Sequence, residues 1–136
     1  MIHVCSLSRL HGVVDETGAE HVVTLIRDTS RVTRPQRIRE ENHLILSIDD
    51  IEDELEGMVA PAETHVAELL NFVGRWERTK PIVVHCFAGI SRSTAAAFIT
   101  ACAIQPEKDE RSIANAIRRA SITAQPNPRI VKFGDK

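Results

Sequence analysis

Residues 82–103 constrain the fold more than any other part of the sequence. The run Ile82–His85 is almost continuously apolar and β-branched, which is typical of a strand covered on both faces of a parallel sheet. Shortly afterwards, Ser93–Ala103 is small or apolar on every side and predicts a helix buried inside a domain. A buried strand followed by a buried helix indicates an α/β fold.

Other segments alternate in the same way between short strands and amphipathic helices. Three more apolar runs predict strands: Ile2–Cys5, His21–Ile26 and Leu44–Ile48. A helix is expected within 61–78, beginning at Pro61, with one apolar face made of Val66, Leu69, Leu70, Val73 and Trp76. Another is expected over Glu110–Ala120. We therefore expect one domain over residues 1–136, with a central, mostly parallel sheet of about four or five strands flanked by helices.

Composition excludes several classes of protein. The net charge of −2 argues against a nucleic-acid binder. The longest apolar stretch, Thr94–Ile104, is about half of a membrane span, and no signal-peptide pattern opens the chain, so we expect a cytoplasmic protein with no membrane insertion. The three cysteines and six histidines show neither a disulfide framework nor paired zinc-ligand spacing, so we expect no metal or cofactor. The oligomeric state is not readable from the sequence.

The loop from Cys86 to Ser93 carries the strongest chemical signal. Between the strand and the helix, the residues Phe87, Ala88, Gly89, Ile90 and Ser91 are placed to wrap successive backbone N–H groups around one point. Such a nest binds a tetrahedral oxyanion, and Arg92 adds a planar fork of donors to two of its oxygens. The same field stabilises a thiolate at Cys86 and predicts a nucleophile.

Two neighbours of this loop are expected to support it. Ser93, at the start of the helix, is placed to donate a hydrogen bond to the sulfur, and His85 to orient the loop. The competing interpretation is a packed core cysteine, a surface arginine and a hydrogen-bonded core histidine. That interpretation leaves the positions of Gly89 and Arg92 unexplained.

The stretch "VVHCFAGISRSTAAA" closely resembles the H-C-x-x-G-x-S-R-S signature of cysteine-dependent protein tyrosine and dual-specificity phosphatases. "HVVTLI" resembles the second strand of that family, "LILSIDD" the strand before its acid loop, and "IRRASITAQPNPRI" its late helix and Pro-Asn turn. The resemblance implies a phosphatase-like fold. It also implies hydrolysis of phosphate monoesters, most of all phosphotyrosine in proteins, with phosphoserine and phosphothreonine or a small monoester as further substrates.

The family mechanism implies a cysteinyl-phosphate on Cys86 and an aspartate that acts as general acid. In "LILSIDDIEDELEG" the pattern of apolar residues alternating up to an aspartate fits Leu46, Ile48 and Asp50. Asp50 is therefore the first candidate for the acid, ahead of Asp49 and Asp53. Any one of these carboxylates is alternatively a solvated loop charge.

Two features depart from the family pattern. The phosphate loop contains no lysine, unlike that of phosphoinositide-directed members, which favours a phosphoprotein or another simple monoester. The chain also stops at "VKFGDK" soon after the Pro-Asn turn, so we expect the final helix to be short or missing. The arginine-rich segment Arg27–Glu41 is either a solvated connection or the rim of an anion site.

Two other functions are compatible with an anion-binding cysteine loop. A catalytically inactive phosphopeptide-binding module would keep the nest and lose the nucleophile or the acid. A rhodanese-like sulfurtransferase uses a loop that is typically one residue shorter and lacks the "AGISRS" continuation. A redox role is a further possibility, in which Cys5 or Cys102 resolves an oxidised Cys86; packing is the alternative for both cysteines.

Overall fold

All four strands of the described chain run parallel in one sheet. The structure is a computed structural model that describes residues 2–120 and 123–134. The strands are β1 (Ile2–Ser6), β2 (His21–Leu25), β3 (His43–Leu46) and β4 (Ile82–Cys86). Their order across the sheet is β1-β4-β2-β3, so β4 lies inside the sheet although it comes last in the sequence. The predicted α/β fold with a parallel sheet is confirmed.

Five helices surround this sheet in the described residues: α1 (Leu10–Thr17), α2 (Glu63–Gly74), α3 (Arg92–Ile104), α4 (Glu110–Ala120) and α5 (Pro128–Gly134). Single 3-10 turns occur at Leu7–Arg9, Thr29–Arg31 and Glu40–Asn42. The predicted helices corresponding to α3 and α4 are confirmed, whereas α1 was not predicted. None of the helices in the described part of the chain is long and apolar enough to cross a bilayer.

The sheet is covered on both faces by two separate apolar clusters. Alternation along β4 sends Ile82, Val84 and Cys86 to the larger cluster, which also contains residues of α2, α3 and α5. Val83 points the other way, into a smaller cluster with α1. All five residues of β4 are buried, as the continuous apolar run predicts. Helix α3 contacts the sheet as well as α2, α4 and α5, which explains its small and apolar composition.

The predicted start of α2 at Pro61 is wrong. Ala62 has extended backbone (φ −125°, ψ 163°), and the helix begins at Glu63. The reason is local: the Ala62 N–H donates to His65 Nδ1 at 2.9 Å, so a side chain of the first turn caps the helix two residues later than the proline.

The predicted apolar face of α2 is also partly wrong. Leu70 is 39 % exposed, whereas Phe72 is buried. The ring of Phe72 packs edge-on against His21, with the ring centroids 5.9 Å apart. The buried stripe is therefore rotated from Leu70 toward Phe72, because tertiary contacts decide which edge of an amphipathic helix is covered.

Candidate active site

Cys86 is the last residue of β4, at the carboxyl edge of the parallel sheet where α/β proteins bind ligands. Its side chain is buried, and Sγ accepts a 3.3 Å hydrogen bond from the Gly89 N–H. Ser93 Oγ lies 3.0 Å from the same sulfur. When the sulfur is a thiolate, the serine hydroxyl must be the donor, so two donors converge on a negative charge at this position.

The loop after Cys86 turns sharply at Gly89, whose φ is +74°. A Cβ at this position would lie 2.8 Å from the Cys5 carbonyl carbon and 2.9 Å from the Ser6 nitrogen. The end of β1 thus presses directly on the loop, and Leu7 N also donates to Phe87 O at 3.1 Å. Only glycine satisfies both the left-handed backbone and this close approach.

Arg92 opens α3 and lies beside the same loop. Its Nη1 donates to Ile48 O at 2.9 Å, which ties the guanidinium to the segment that follows β3. Nε is buried and has no hydrogen-bond partner in the described residues. A buried, charged donor without an acceptor is costly, and a bound oxyanion would supply that acceptor.

Asp50 and this loop line the same cavity, which has a volume of about 700 Å³. Its Oδ1 accepts hydrogen bonds from Ser91 Oγ at 2.7 Å and from Asn127 Nδ2 at 2.8 Å. The cavity lining includes Asp50, Cys86, Ser91, Arg92, Arg118 and Asn127. The structure therefore brings the first-choice acid into the same cavity as the cysteine.

The two other candidate carboxylates lie elsewhere. Asp49 Oδ2 accepts a 2.8 Å hydrogen bond from Val59 N and lies 3.6 Å from Arg27 Nε. Its carboxylate therefore already has a backbone donor and a charged partner. Asp53 is exposed and does not line the cavity. Geometry thus separates three aspartates that the sequence could only rank.

Asn127 is a site residue to which the sequence analysis assigned no role. Its side chain is buried, and Oδ1 accepts from the backbone N–H groups of Arg129 and Ile130 at 3.0 and 3.1 Å, which caps α5. Its own N–H donates to Ser91 O at 3.1 Å. The signal was the Pro-Asn-Pro turn: asparagine before a proline is typical of a helix N-terminus.

The arginine-rich segment makes specific contacts with the site as well as with solvent. The Arg31 guanidinium lies 5.7 Å from the centroid of the exposed Phe87 ring, and Arg27 pairs with Asp49. Arg34 Nε donates to His43 Nδ1 at 3.3 Å. The segment is therefore more than a solvated connection.

His85 is fully buried and hydrogen bonded inside the sheet. Its Nε2 lies 2.6 Å from Thr24 Oγ1, on the neighbouring strand β2. Burial, with a smaller effect from His43, lowers the pKa of His85 to about 4. The ring is thus neutral at physiological pH.

Cys5 lies on the opposite face of the sheet from Cys86. Cys5 packs against the smaller cluster, whereas Cys86 belongs to the larger one. Burial raises the pKa of the Cys5 thiol to about 11. Among the described residues, no group of three or more His, Cys, Asp or Glu side chains is arranged to hold a metal ion.

Comparisons with known proteins agree with this architecture. The crystal structure of DUSP15 superposes with a TM-score of 0.75 at 21 % identity, covering 98 % of this chain and 82 % of that one. The Yvh1 phosphatase domain from Chaetomium thermophilum gives a TM-score of 0.75 at 21 % identity, with 98 % and 88 % coverage. PTPMT1 in complex with PI(5)P gives 0.71 at 13 % identity, with 98 % and 87 % coverage.

Sequence comparison supplies the family assignment. A search of curated protein sequences found no significant match. The family profile described as protein-tyrosine phosphatase matches residues 56–123, which is half of the chain and includes the whole Cys86–Ser93 loop. This chain belongs to the protein-tyrosine phosphatase family.

Proposed function

We propose that this protein hydrolyses phosphate monoesters, most of all phosphotyrosine in proteins, through a cysteinyl-phosphate intermediate. The observation that carries the proposal is the shared cavity of Cys86, Arg92 and Asp50. A nucleophile, an anion cradle and a carboxyl group within one cavity are the three parts that this reaction requires.

In the first step, Cys86 Sγ attacks the phosphorus atom and the bond to the leaving oxygen breaks. The protonated Asp50 carboxyl transfers its proton to that oxygen, so that an alcohol or phenol departs. Arg92 and the backbone N–H groups of the 87–91 loop bear the charge of the transferring phosphoryl group. Because these donors are already in place, the charge is stabilised without reorganisation.

In the second step, water attacks the phosphorus atom and the sulfur–phosphorus bond breaks. The Asp50 carboxylate takes a proton from the water, and Ser93 Oγ donates to the departing thiolate at the observed 3.0 Å separation. Inorganic phosphate leaves, and the free thiolate and the protonated acid are restored.

Two observations support a phosphotyrosyl protein over other monoesters. Phe87 is 53 % exposed and lines the cavity, so it offers an apolar ring for an aryl substrate. The 87–91 loop has no lysine to hold a second phosphate of a phosphoinositide. The fold is compatible with lipid substrates, since PTPMT1 in complex with PI(5)P shares it, so a lipid must be included in the test.

The test compares wild type with Cys86→Ser on an artificial aryl phosphate, then on phosphotyrosine, phosphoserine and phosphothreonine peptides and on PI(5)P. We expect hydrolysis by wild type only, fastest with phosphotyrosine. Rapid quenching should trap phosphate on Cys86 in wild type, which mass spectrometry would locate. A faster reaction with PI(5)P than with any peptide would overturn the substrate assignment.

The other two functions predict different results in the same experiment. A phosphopeptide-binding module would bind peptides equally well as wild type and as Cys86→Ser, with no hydrolysis by either. A sulfurtransferase would transfer sulfur from thiosulfate to cyanide and leave aryl phosphates intact. Either result would overturn the phosphatase proposal.

A further inference from the structure

A chain of hydrogen bonds connects His85, beside the nucleophile, to the protein surface. His85 Nε2 lies 2.6 Å from Thr24 Oγ1, which lies 2.7 Å from His43 Nε2. Arg34 Nε then donates to His43 Nδ1 at 3.3 Å. The chain runs across β4, β2 and β3 and ends at an exposed arginine.

The direction of each hydrogen bond follows from the arginine. A guanidinium only donates, so His43 Nδ1 must accept. Burial and the charge of Arg34 lower the pKa of His43 to about 4, so the ring is neutral and carries its one proton on Nε2. His43 therefore donates to Thr24, and the hydroxyl proton of Thr24 is directed to His85 Nε2.

The tautomer of His85 is determined by this order. Its Nε2 accepts, so the neutral ring carries its proton on Nδ1. Nδ1 is buried and has no hydrogen-bond partner among the described residues. The backbone of Cys86, the next residue in the chain, acts to raise the pKa of His85, in opposition to burial. We infer that a proton on Nδ1 interacts with this backbone.

We propose that Thr24, His43 and Arg34 are positioning residues that hold His85 as the Nδ1–H tautomer. His85 in this form holds Cys86 in its reactive geometry, an inference that rests on the proposed function. Packing alone does not account for them. Thr24 is fully buried in the sheet, where a valine of nearly the same shape would avoid the cost of burying a hydroxyl. The hydroxyl is retained at the one position that joins the two imidazoles.

The first test is spectroscopic and uses wild-type protein. Nitrogen-15 chemical shifts of imidazole rings distinguish the two neutral tautomers. We expect the Nδ1–H form for His85 and the Nε2–H form for His43 at pH 7, and in Arg34→Met we expect the Nε2–H preference of His43 to weaken. An Nε2–H form of His85 in wild type would overturn the proposal.

The second test measures the reactivity of Cys86 directly, through the rate of alkylation by iodoacetamide at pH 6.5. Thr24→Val removes the hydroxyl that joins the two histidines and so breaks the hydrogen-bond chain. Thr24→Ser keeps a hydroxyl, and Thr100→Val is the matched control. Thr100 is equally buried but donates to Ala96 O at 2.8 Å, away from the site. Loss of a buried hydrogen bond predicts about fivefold slower alkylation in Thr24→Val, with Thr24→Ser within about twofold of wild type.

Thermal unfolding would show whether both variants are folded. Equal alkylation rates in folded Thr24→Val and folded Thr100→Val would overturn the proposed role of the hydrogen-bond chain. The alkylation rate does not depend on phosphate hydrolysis. If wild type hydrolyses no phosphate ester, the proposed function fails. The role of the hydrogen-bond chain is still tested by this comparison of alkylation rates and by the histidine tautomers.

Discussion

Asn127 donates a 2.8 Å hydrogen bond from Nδ2 to Asp50 Oδ1, and its Oδ1 at the same time caps α5. One buried side chain thereby joins the loop after β3, which carries Asp50, to the turn before α5. The backbone of that turn is in turn bonded to the phosphate loop through Ser91 O. The position of the carboxyl group relative to Cys86 is thus set by a residue that need not touch the substrate.

Asn127→Ala should lower both stability and turnover. It removes a helix cap and leaves buried partners unsatisfied, which predicts a loss of about 2 kcal/mol in the free energy of unfolding. Displacement of Asp50 predicts at least about a tenfold lower kcat on an aryl phosphate. Urea unfolding and steady-state kinetics would measure the two effects.

A control variant and a second substitution at Asn127 distinguish its role in capping α5 from its hydrogen bond to Asp50. Asn71→Ala, on the exposed face of α2, should change neither quantity. Asn127→Asp keeps an oxygen for the cap but replaces the amide donor with a charge beside Asp50, so it should lower kcat more than stability. An unchanged kcat in Asn127→Ala would contradict the positioning role.

Asp50→Asn should remove the proposed general acid. The expected loss is about 10² to 10⁴ in kcat, largest for substrates with poor leaving groups, together with loss of the pH dependence that the acid imposes. Asp53→Asn should behave as wild type, because Asp53 is exposed outside the cavity. Asp49→Ala should lower stability, since it removes the oxygen that accepts from Val59 N. Full activity in Asp50→Asn across the pH range would place the acid elsewhere.

How much the sequence could predict depended on whether the interacting residues are neighbours in the chain. Cys86, Gly89 and Arg92 lie within seven residues of one another, so their spacing alone predicts the proposed phosphate loop. The strand and helix that flank the loop were equally clear, because β4 is buried throughout and most of α3 is buried, so both segments consist largely of apolar or small residues.

Contacts between distant segments could not be predicted in this way. Asn127 meets Asp50 across 77 positions, and Thr24 meets His85 across 61. A polar residue in a turn or strand has no periodicity that reveals its partner. The start of α2 depends likewise on a side-chain cap by His65, and its buried face on the packing of Phe72 against His21 of β2.

Gly89→Ala should destroy the phosphate loop. A left-handed alanine costs about 1 to 2 kcal/mol, and here the new Cβ would also meet the backbone of Cys5 at 2.8 Å. The matched control is Gly57→Ala, where φ is +78° and nothing lies within 4 Å of the added carbon. Both variants should lose stability, but only Gly89→Ala should lose binding of inorganic phosphate, measured by calorimetry. Equal phosphate affinity in the two variants would contradict the role of the close approach.

The cysteines should differ sharply in reactivity. Burial raises the pKa of Cys5 to about 11, so its thiol stays protonated between pH 6 and 9 and should resist iodoacetamide in the folded protein. Cys86, with two donors on its sulfur, should be alkylated first, and bound phosphate should protect it. Peptide mass mapping over a time course would show the order. Alkylation of Cys5 before Cys86 would contradict the assignment of the nucleophile.

Stability should fall as the pH is lowered from about 6.5 toward 4. In the folded protein the pKa of His85 is lowered by burial to about 4, whereas in the unfolded chain it returns to its usual 6.5. Between these values the unfolded state binds a proton that the folded state does not, so stability rises with pH across this window and is complete above it. For His85 the expected loss is on the order of 3 kcal/mol. His85→Gln should flatten the pH dependence of urea unfolding, whereas His11→Gln, at an exposed histidine, should leave it as in wild type. An unchanged slope in His85→Gln would contradict the contribution of His85 to the acid sensitivity.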